Sequence, residues 1–132
     1  MEALVSDNLR SWFSSQIKPL LPSGWRYIPN QKTPETVTVP TLVFKLMELE
    51  PLPEAPRGSL SAGIVLTLIC PLVDDVKAED ALDDDVLALM TALDGHRHIS
   101  WKSARKVRDS VTDRLSWDLN VSAITTRPIR EK

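Results

Sequence analysis

Apolar residues recur at helical spacing in two parts of the chain. The first group lies near the start and consists of Val5, Leu9, Trp12, Phe13 and Ile17. These positions share one helical face, so the pattern predicts a helix over residues 2–18 that ends before Pro19. The second group consists of Leu82, Val86, Leu89, Met90 and Leu93. It lies within about 100° of arc and predicts the buried stripe of a second helix, capped by Asp74 or Asp75 and ended by Gly95.

Extended segments separate and follow these helices. The pattern predicts a short strand over residues 25–29, which ends at a proline. It also predicts a strand over residues 41–49 that is apolar on both faces. Residues 98–107 and 113–124 predict the last two strands. In the second of these, apolar and polar side chains alternate, as in a strand with one buried face.

Residues 59–73 predict the longest strand. Its alternate apolar positions are Leu60, Ala62, Ile64, Leu66, Leu68, Cys70 and Leu72. Fully extended, this segment would span roughly 45–50 Å, far more than the usual strand of about six residues. We therefore expect either a β-bulge at Gly63 or a hairpin that projects beyond the body of the domain. Proline-rich loops over residues 30–40 and 50–58 flank the strand at 41–49.

The predicted order of elements is α-β-β-β-α-β-β. Two amphipathic helices and about five mostly antiparallel strands are typical of a two-layer α+β sandwich. We therefore expect a single α+β domain over residues 1–132, with a loose tail over residues 124–132 and a long projecting hairpin.

Composition narrows the class of protein. With 132 residues, the chain is large enough for its own core. Its net charge of −2 argues against electrostatic attraction of nucleic acid to the domain as a whole. The single cysteine, Cys70, permits no internal disulfide and fits a reducing compartment. The first residues lack the pattern of a signal peptide, and the most apolar segment is too short to span a membrane. We therefore expect a soluble protein made in a cytoplasm, with no membrane partner.

Three consecutive aspartates, Asp83, Asp84 and Asp85, are the first candidates for chemistry. On a helix they point in directions about 100° apart, so they cannot converge on one ion. Asp80 and Asp84 share the outer face, but no histidine or further carboxylate completes a metal site there. The pattern favours a solvated face that complements the helix dipole, and an acidic patch that meets a protein partner is the alternative.

The histidines and the cysteine do not indicate catalysis. His96 and His98 supply two ligands where a zinc site needs three or four. Cys70 falls on the apolar side of its strand and has no basic neighbour in the sequence that would activate its thiol. The sequence contains neither a nucleophile elbow nor a glycine-rich phosphate loop. We therefore expect no catalytic residue, no metal and no cofactor, and the chain is predicted not to be an enzyme.

The final hairpin carries a predicted basic face. If Trp101 and Trp117 point together to the core, the opposite face of the hairpin is basic. The basic residues of that face are Lys102, Lys106, Arg108 and Arg114. The face is interpreted as solvated, as a charged subunit interface or as a nucleic-acid contact. A platform for single-stranded nucleic acid needs exposed aromatic side chains, and this face shows none.

These segments together resemble the tail terminator proteins of long-tailed bacteriophages. The resemblance is one of size and element order over almost the whole chain. It includes the N-terminal helix "ALVSDNLRSWFSSQI", the long hairpin around "EPLPEAPRG", the acidic helix "AEDALDDDVLALMTALDG" and the final strand pair. It implies a structural virion protein that forms a homohexameric ring, caps the tail tube and joins it to the head-side connector.

The resemblance also implies partners and contact residues. The partners are further copies of the chain, the tail tube protein and a connector or head-closure protein, with DNA only in transit through the ring. The candidate contacts to tube or connector, in the two loops, are Lys32, Glu35, Glu50, Glu54 and Arg57. The candidate subunit or lumen contacts are Lys102, Lys106, Arg108, Arg114, Asp80, Asp83 and Asp84. A closed ring needs two different complementary patches on each subunit, so the acidic helix face is expected to meet the basic hairpin face of a neighbour.

Three alternatives remain open. Another neck component, such as a head-closure or head–tail joining protein, has a similar size. A small DNA-binding accessory protein would use the basic hairpin face and would bind DNA in a salt-dependent way. A metal-dependent enzyme built on the aspartates would contain stoichiometric metal.

Overall fold

The computed structural model describes residues 9–29, 34, 36–51, 59–72 and 75–126. The elements in this part of the chain are α1 (Leu9–Ile17), a 3₁₀ helix (Lys18–Leu20), β1 (Arg26–Ile28), β2 (Thr41–Pro51), β3 (Ser59–Ile69), α2 (Asp75–Asp94), β4 (Ile99–Arg108) and β5 (Leu115–Thr126). They form an α+β fold, and their order matches the predicted α-β-β-β-α-β-β apart from the 3₁₀ helix.

The strands form one sheet in the spatial order β1-β2-β3-β5-β4. β1 runs parallel to β2, and the other three pairings are antiparallel. The prediction of a mostly antiparallel sheet is therefore confirmed. This order places β3 at the centre and leaves β4 at one edge.

The core lies between the two helices and one face of the sheet, which we call the helix side. α1 contributes Trp12, Phe13 and Ile17, and the ring centroid of Phe13 lies 4.9 Å from that of Phe44 on β2. The buried residues of the predicted stripe on α2 are Leu82, Val86, Leu89 and Leu93. Apolar spacing therefore identified the packing faces of both helices.

β3 is shorter than predicted. It ends at Ile69 after 11 residues, and β5, with 12 residues, is the longest strand in the described part of the chain. Beyond Ile69 the backbone N–H of Cys70 still donates to the carbonyl of Leu115, but Pro71 has no N–H with which to continue the ladder. Leu72, which the pattern placed on the same apolar face as Cys70, is consequently 40% exposed.

The irregularity predicted at Gly63 is present, but the extra residue lies on the neighbouring strand. Leu46 pairs with Ile64 and Glu48 pairs with Gly63, so Met47 is the additional residue of a β-bulge in β2. A Cβ atom on Gly63 would lie 3.2 Å from the Cβ of Glu48. Glycine at this position therefore allows β2 and β3 to approach each other beside the bulge.

The opposite face of the sheet, which we call the polar face, carries cross-strand hydrogen bonds between side chains. Thr67 donates to Oδ1 of Asp118 over 2.7 Å, and the amide of Asn120 donates to the hydroxyl of Ser103 over 2.9 Å. One end of this face is apolar, where a small buried cluster consists of Ile28, Val37, Val43 and Ile69. The strand at residues 41–49 was predicted to be apolar on both faces. At Val43 of β2, the second apolar face is covered by residues of the same chain.

Several predicted boundaries differ from the structure or lie outside the described residues. Glu50 belongs to β2, so the predicted loop at 50–58 begins too early, and residues 52–58 lie outside the described part. Residues 124–126, predicted as part of a loose tail, belong to β5. The remainder of that tail, the first eight residues and Asp74 also lie outside the described part.

Candidate functional site

A β-bulge divides β4 into two parts. Trp101 pairs with Val121, whereas the next pair joins Ser103 to Asn120, so Lys102 is an additional residue. Side chains alternate between the two faces of a strand, and one additional residue reverses that alternation for all later positions. The residues of β4 after Lys102 therefore lie on the sides opposite to those predicted.

The bulge places Lys106 and Arg108 on the helix side. Lys106 pairs with Trp117 and Arg108 pairs with Leu115, and directly paired residues share a face of the sheet. The prediction that Lys106 and Arg108 lie opposite Trp117 is therefore wrong. The two side chains would lie on the face opposite Trp117 if the alternation of β4 were unbroken, and the bulge at Lys102 breaks it.

On the helix side, Lys106 meets α2 of its own chain. Its Nζ lies 2.9 Å from Oδ1 of Asp83 and 3.1 Å from Oε2 of Glu79. The same Asp83 oxygen accepts a hydrogen bond of 3.1 Å from Nε1 of Trp117, and Lys106 Nζ lies 5.3 Å from the centroid of the Trp117 ring. Hydrogen bonding to Asp83 raises the pKa of Lys106. Asp83 and Lys106, expected to meet between subunits, are thus paired within one chain.

The other aspartates of α2 point away from this pair. Asp80 and Asp84 are exposed, and Asp85 is half-buried. Burial raises the pKa of Asp85, and the neighbouring charge of Asp84 adds to the effect. The side chains fan around the helix as its geometry requires, so Asp80 and Asp84 are the predicted acidic contacts that face solvent.

Between α2 and the strands β4 and β5 lies an open apolar cavity of about 410 Å³, which we call the tryptophan groove. Its lining residues are Asp83, Val86, Leu87, Met90, Trp101, Ala104 and Trp117. Nε1 of Trp101 donates to Oδ1 of Asp94 over 2.9 Å, as Nε1 of Trp117 does to Asp83. Both indoles are therefore hydrogen bonded at their polar atom, and their rings supply apolar wall. Leu87, at 57% exposure, extends this apolar surface to solvent.

The remaining predicted contacts are dispersed. Lys102 is exposed at the bulge, and Nη1 of Arg108 donates to the backbone carbonyl of Asp113 over 2.9 Å. Arg114 is half-buried just before β5, and Glu50 is exposed near the end of β2. The loop candidates that lie outside the described residues are Lys32, Glu35, Glu54 and Arg57.

His96 and His98 form hydrogen bonds within the fold. The backbone N–H of His98 donates to Nδ1 of His96 over 3.0 Å, so the proton of a neutral His96 lies on Nε2, 3.1 Å from Oε1 of Gln16. Burial lowers the pKa of His96, and His98 adds to this effect. Cys70 is buried, and burial raises the pKa of its thiol. Among the residues that the structure describes, no group of three or more His, Cys, Asp or Glu side chains is placed to hold a metal ion.

No protein-family model and no curated protein matches the chain. Within the described segments, no helix is long and apolar enough to cross a membrane.

The tryptophan groove was not predicted from the sequence. The pattern of the final hairpin placed Trp101 and Trp117 together on the core side of the sheet. One signal was present: Asp83 and Asp94 are about three helical turns apart, so they lie on the same side of α2. The sequence does not show that α2 packs across β4 and β5, which is what places the two tryptophans opposite these aspartates.

Proposed function

We propose that the chain is the tail terminator of a long-tailed bacteriophage, a structural virion protein that forms a ring at the end of the tail tube. The ring ends polymerisation of the tube and joins it to the head-side connector, and DNA passes through its centre. The role is structural and assigns no catalytic residue and no cofactor. In this role the protein is assembled in the host cytoplasm and becomes part of the virion neck.

The observation that carries the proposal is the part of the sheet that extends beyond the core. Residues Thr41 to Phe44 of β2 are buried, whereas all residues from Met47 to Pro51 are exposed. We call residues 47–51 the arm, and Leu49 within it is 51% exposed. An exposed apolar side chain on an extended strand adds nothing to the core of the monomer, whereas a contact with another subunit would bury it. The exposed arm therefore supports the proposal that the protein buries this surface by contact with another subunit.

The proposed ring needs three kinds of contact. Copies of the chain contact each other side by side, one rim contacts the tail tube protein, and the other rim contacts the connector or head-closure protein. The predicted rim contacts are Lys32, Glu35, Glu54 and Arg57. Glu50 belongs to the arm rather than to a loop and is therefore a better candidate for contact between subunits.

A different neck component is the second candidate function, because an exposed arm serves a head-closure or head–tail joining protein equally well. The DNA-binding alternative has less support. Lys106, one of the four predicted basic residues, is occupied by Asp83 and Glu79 and faces α2. The basic surface available to a phosphate backbone is accordingly smaller than predicted.

The role is tested by placing a stop codon in the gene of a phage that encodes this chain. We expect overlong tails and unattached heads, because nothing would end tube polymerisation. A plasmid copy of the gene should restore normal length. Tails of normal length that fail to attach to heads would instead indicate a head-closure or joining protein, and normal virions would contradict both candidates.

A further inference from the structure

The sheet has two chemically different edges. β4 is its last strand on one side. On the other side, the pairs that join β1 to β2 within the described residues are at Thr41, Leu42 and Val43. Residues 48–51 of β2 lie beyond this pairing, and among the described strands they pair with β3 alone. Exposed strand edges are templates for pairing with another chain.

The β4 edge is basic on the polar face and apolar on the helix side. Arg105 pairs with Asp118 on the polar face, and the exposed Lys102 lies beside it at the bulge. On the helix side, Trp101 and Ala104 line the tryptophan groove. A strand placed against β4 would therefore meet cations on one face and apolar wall on the other.

The arm has the complementary arrangement. Glu48 pairs with Gly63, and Glu50 pairs with Ser61, so both carboxylates lie on the polar face. Leu49 pairs with the buried Ala62 and therefore lies on the helix side. The arm thus carries acidic side chains on the face where β4 carries basic ones, and an exposed leucine on the side of the groove.

Strand directions also allow the two edges to meet. β2 is antiparallel to β3, β3 to β5 and β5 to β4, so β2 and β4 run in opposite directions. A neighbour related by rotation about an axis along the strands would present its β2 antiparallel to β4. The same rotation keeps the helix sides of both sheets on the same side of the joined sheet. Such a contact is heterologous, as a closed ring of identical subunits requires.

We propose that the arm of one subunit pairs antiparallel with β4 of the next, so that the sheets join into a continuous belt. In this seam, Glu48 and Glu50 face Lys102 and Arg105 of the neighbour, and Leu49 covers the tryptophan groove. The partner is a second copy of this chain. The inference deepens the proposed function, because it rests on the side-by-side contacts of the proposed ring.

The seam is tested with two charge-reversal variants. The arm variant carries Glu48→Lys and Glu50→Lys, and the edge variant carries Lys102→Glu and Arg105→Glu. Each places like charges across the seam, so each should raise the concentration needed for assembly by at least about tenfold in sedimentation velocity experiments. All four side chains are exposed, so circular dichroism and the thermal midpoint should stay close to those of the wild type.

Mixing the two variants provides the sharper experiment. In an equimolar mixture, the lysines of the arm variant face the glutamates of the edge variant, and the remaining seams keep the wild-type charges. We expect assembly at the wild-type mass from two proteins that fail to assemble alone. A general effect of altered net charge would not produce this complementation.

A third variant tests the competing seam through the acidic face of α2. Asp80→Lys with Asp84→Lys changes the net charge as much as the arm variant does, on exposed side chains of α2 that belong to neither edge strand of the sheet. The proposal expects this variant to assemble as the wild type does. Assembly lost in this variant but kept in the arm and edge variants would overturn the proposal.

The remaining outcomes separate the seam from the terminator role. Rings that form normally in the arm and edge variants, failure of the mixture to assemble, or a wild type that is monomeric at every concentration would each overturn the seam. The tail-length experiment tests the terminator role independently. Complementation between the variants in a protein whose loss leaves tails unchanged would support the seam and refute the role.

Discussion

Asp83 on α2 accepts a hydrogen bond from the indole nitrogen of Trp117 on β5, with 3.1 Å between Oδ1 and Nε1. Lys106 on β4 approaches the same oxygen to 2.9 Å. One carboxylate therefore links the second helix to the edge strand β4 and to its neighbour β5. It also lines the tryptophan groove.

Removal of this carboxylate should destabilise the fold. We expect Asp83→Ala to lower the free energy of unfolding by about 1–2 kcal/mol, because hydrogen bonds to charged groups are strong but this one is partly exposed to solvent. Asp84→Ala is the matched control, since Asp84 is the exposed neighbour on the same helix, and it should change stability by less than about 0.5 kcal/mol. Urea denaturation measures both, and equal effects would contradict the role of Asp83.

Two leucines of α2 should respond very differently to the same truncation. Leu82 is fully buried, so Leu82→Ala should lower the free energy of unfolding by about 2–5 kcal/mol through lost burial and the cavity it leaves. Leu87 is 57% exposed at the groove, so Leu87→Ala should cost less than about 0.5 kcal/mol. Thermal or urea unfolding of both variants tests the placement of the helix. Similar losses would mean that the buried stripe is wrong.

His96 should make stability depend on pH. Its pKa is lowered in the folded state, so the unfolded chain takes up the proton first as the pH falls. The free energy of unfolding should therefore fall as the pH drops below the unfolded value of about 6.5, and the loss should level off below the lowered folded pKa. Urea titrations across this range should show a smaller slope for His96→Gln than for the wild type. Identical slopes would mean that His96 is not held neutral.

The glycine opposite the bulge should tolerate little added volume. Gly63→Val should lower the free energy of unfolding by about 1–3 kcal/mol, because even a Cβ atom would lie 3.2 Å from the Cβ of Glu48. Gly95→Ala is the comparison, since the nearest atom to its added Cβ would be a carbonyl oxygen at 3.9 Å. That substitution should change stability by less than about 1 kcal/mol. A Gly63→Val protein as stable as the wild type would show that the strands can separate here without cost.

The buried faces of the helices and of β3 could be predicted because they depend on periodicity alone. Leu82 and Leu89 repeat at helical spacing, and Ile64 and Leu66 repeat at strand spacing, so neighbours along the chain determine their side. Periodicity does not predict the exposure of Leu72. The apolar alternation continues to this residue, but Pro71 ends the hydrogen-bond ladder of the strand before it.

The candidate site could be predicted only in part. A bulge at Lys102 depends on how β4 aligns with β5, and its local sequence carries no signal for it. Because of that one additional residue, Lys106 lies on the helix side, where it forms an ion pair with Asp83, rather than on the predicted polar face. The acidic and basic patches that were expected to join two subunits therefore meet partly within one. The complementary edges at the arm and at β4 became visible only when the strand order was known.

The central claim, that the chain is a ring-forming structural subunit, is tested most directly by its native mass. Light scattering over a concentration series, with negative-stain images of the same samples, should show closed rings of about six subunits. The rings should weaken as salt is raised, because the proposed seam includes exposed charge pairs. A strict monomer at every concentration would contradict self-assembly.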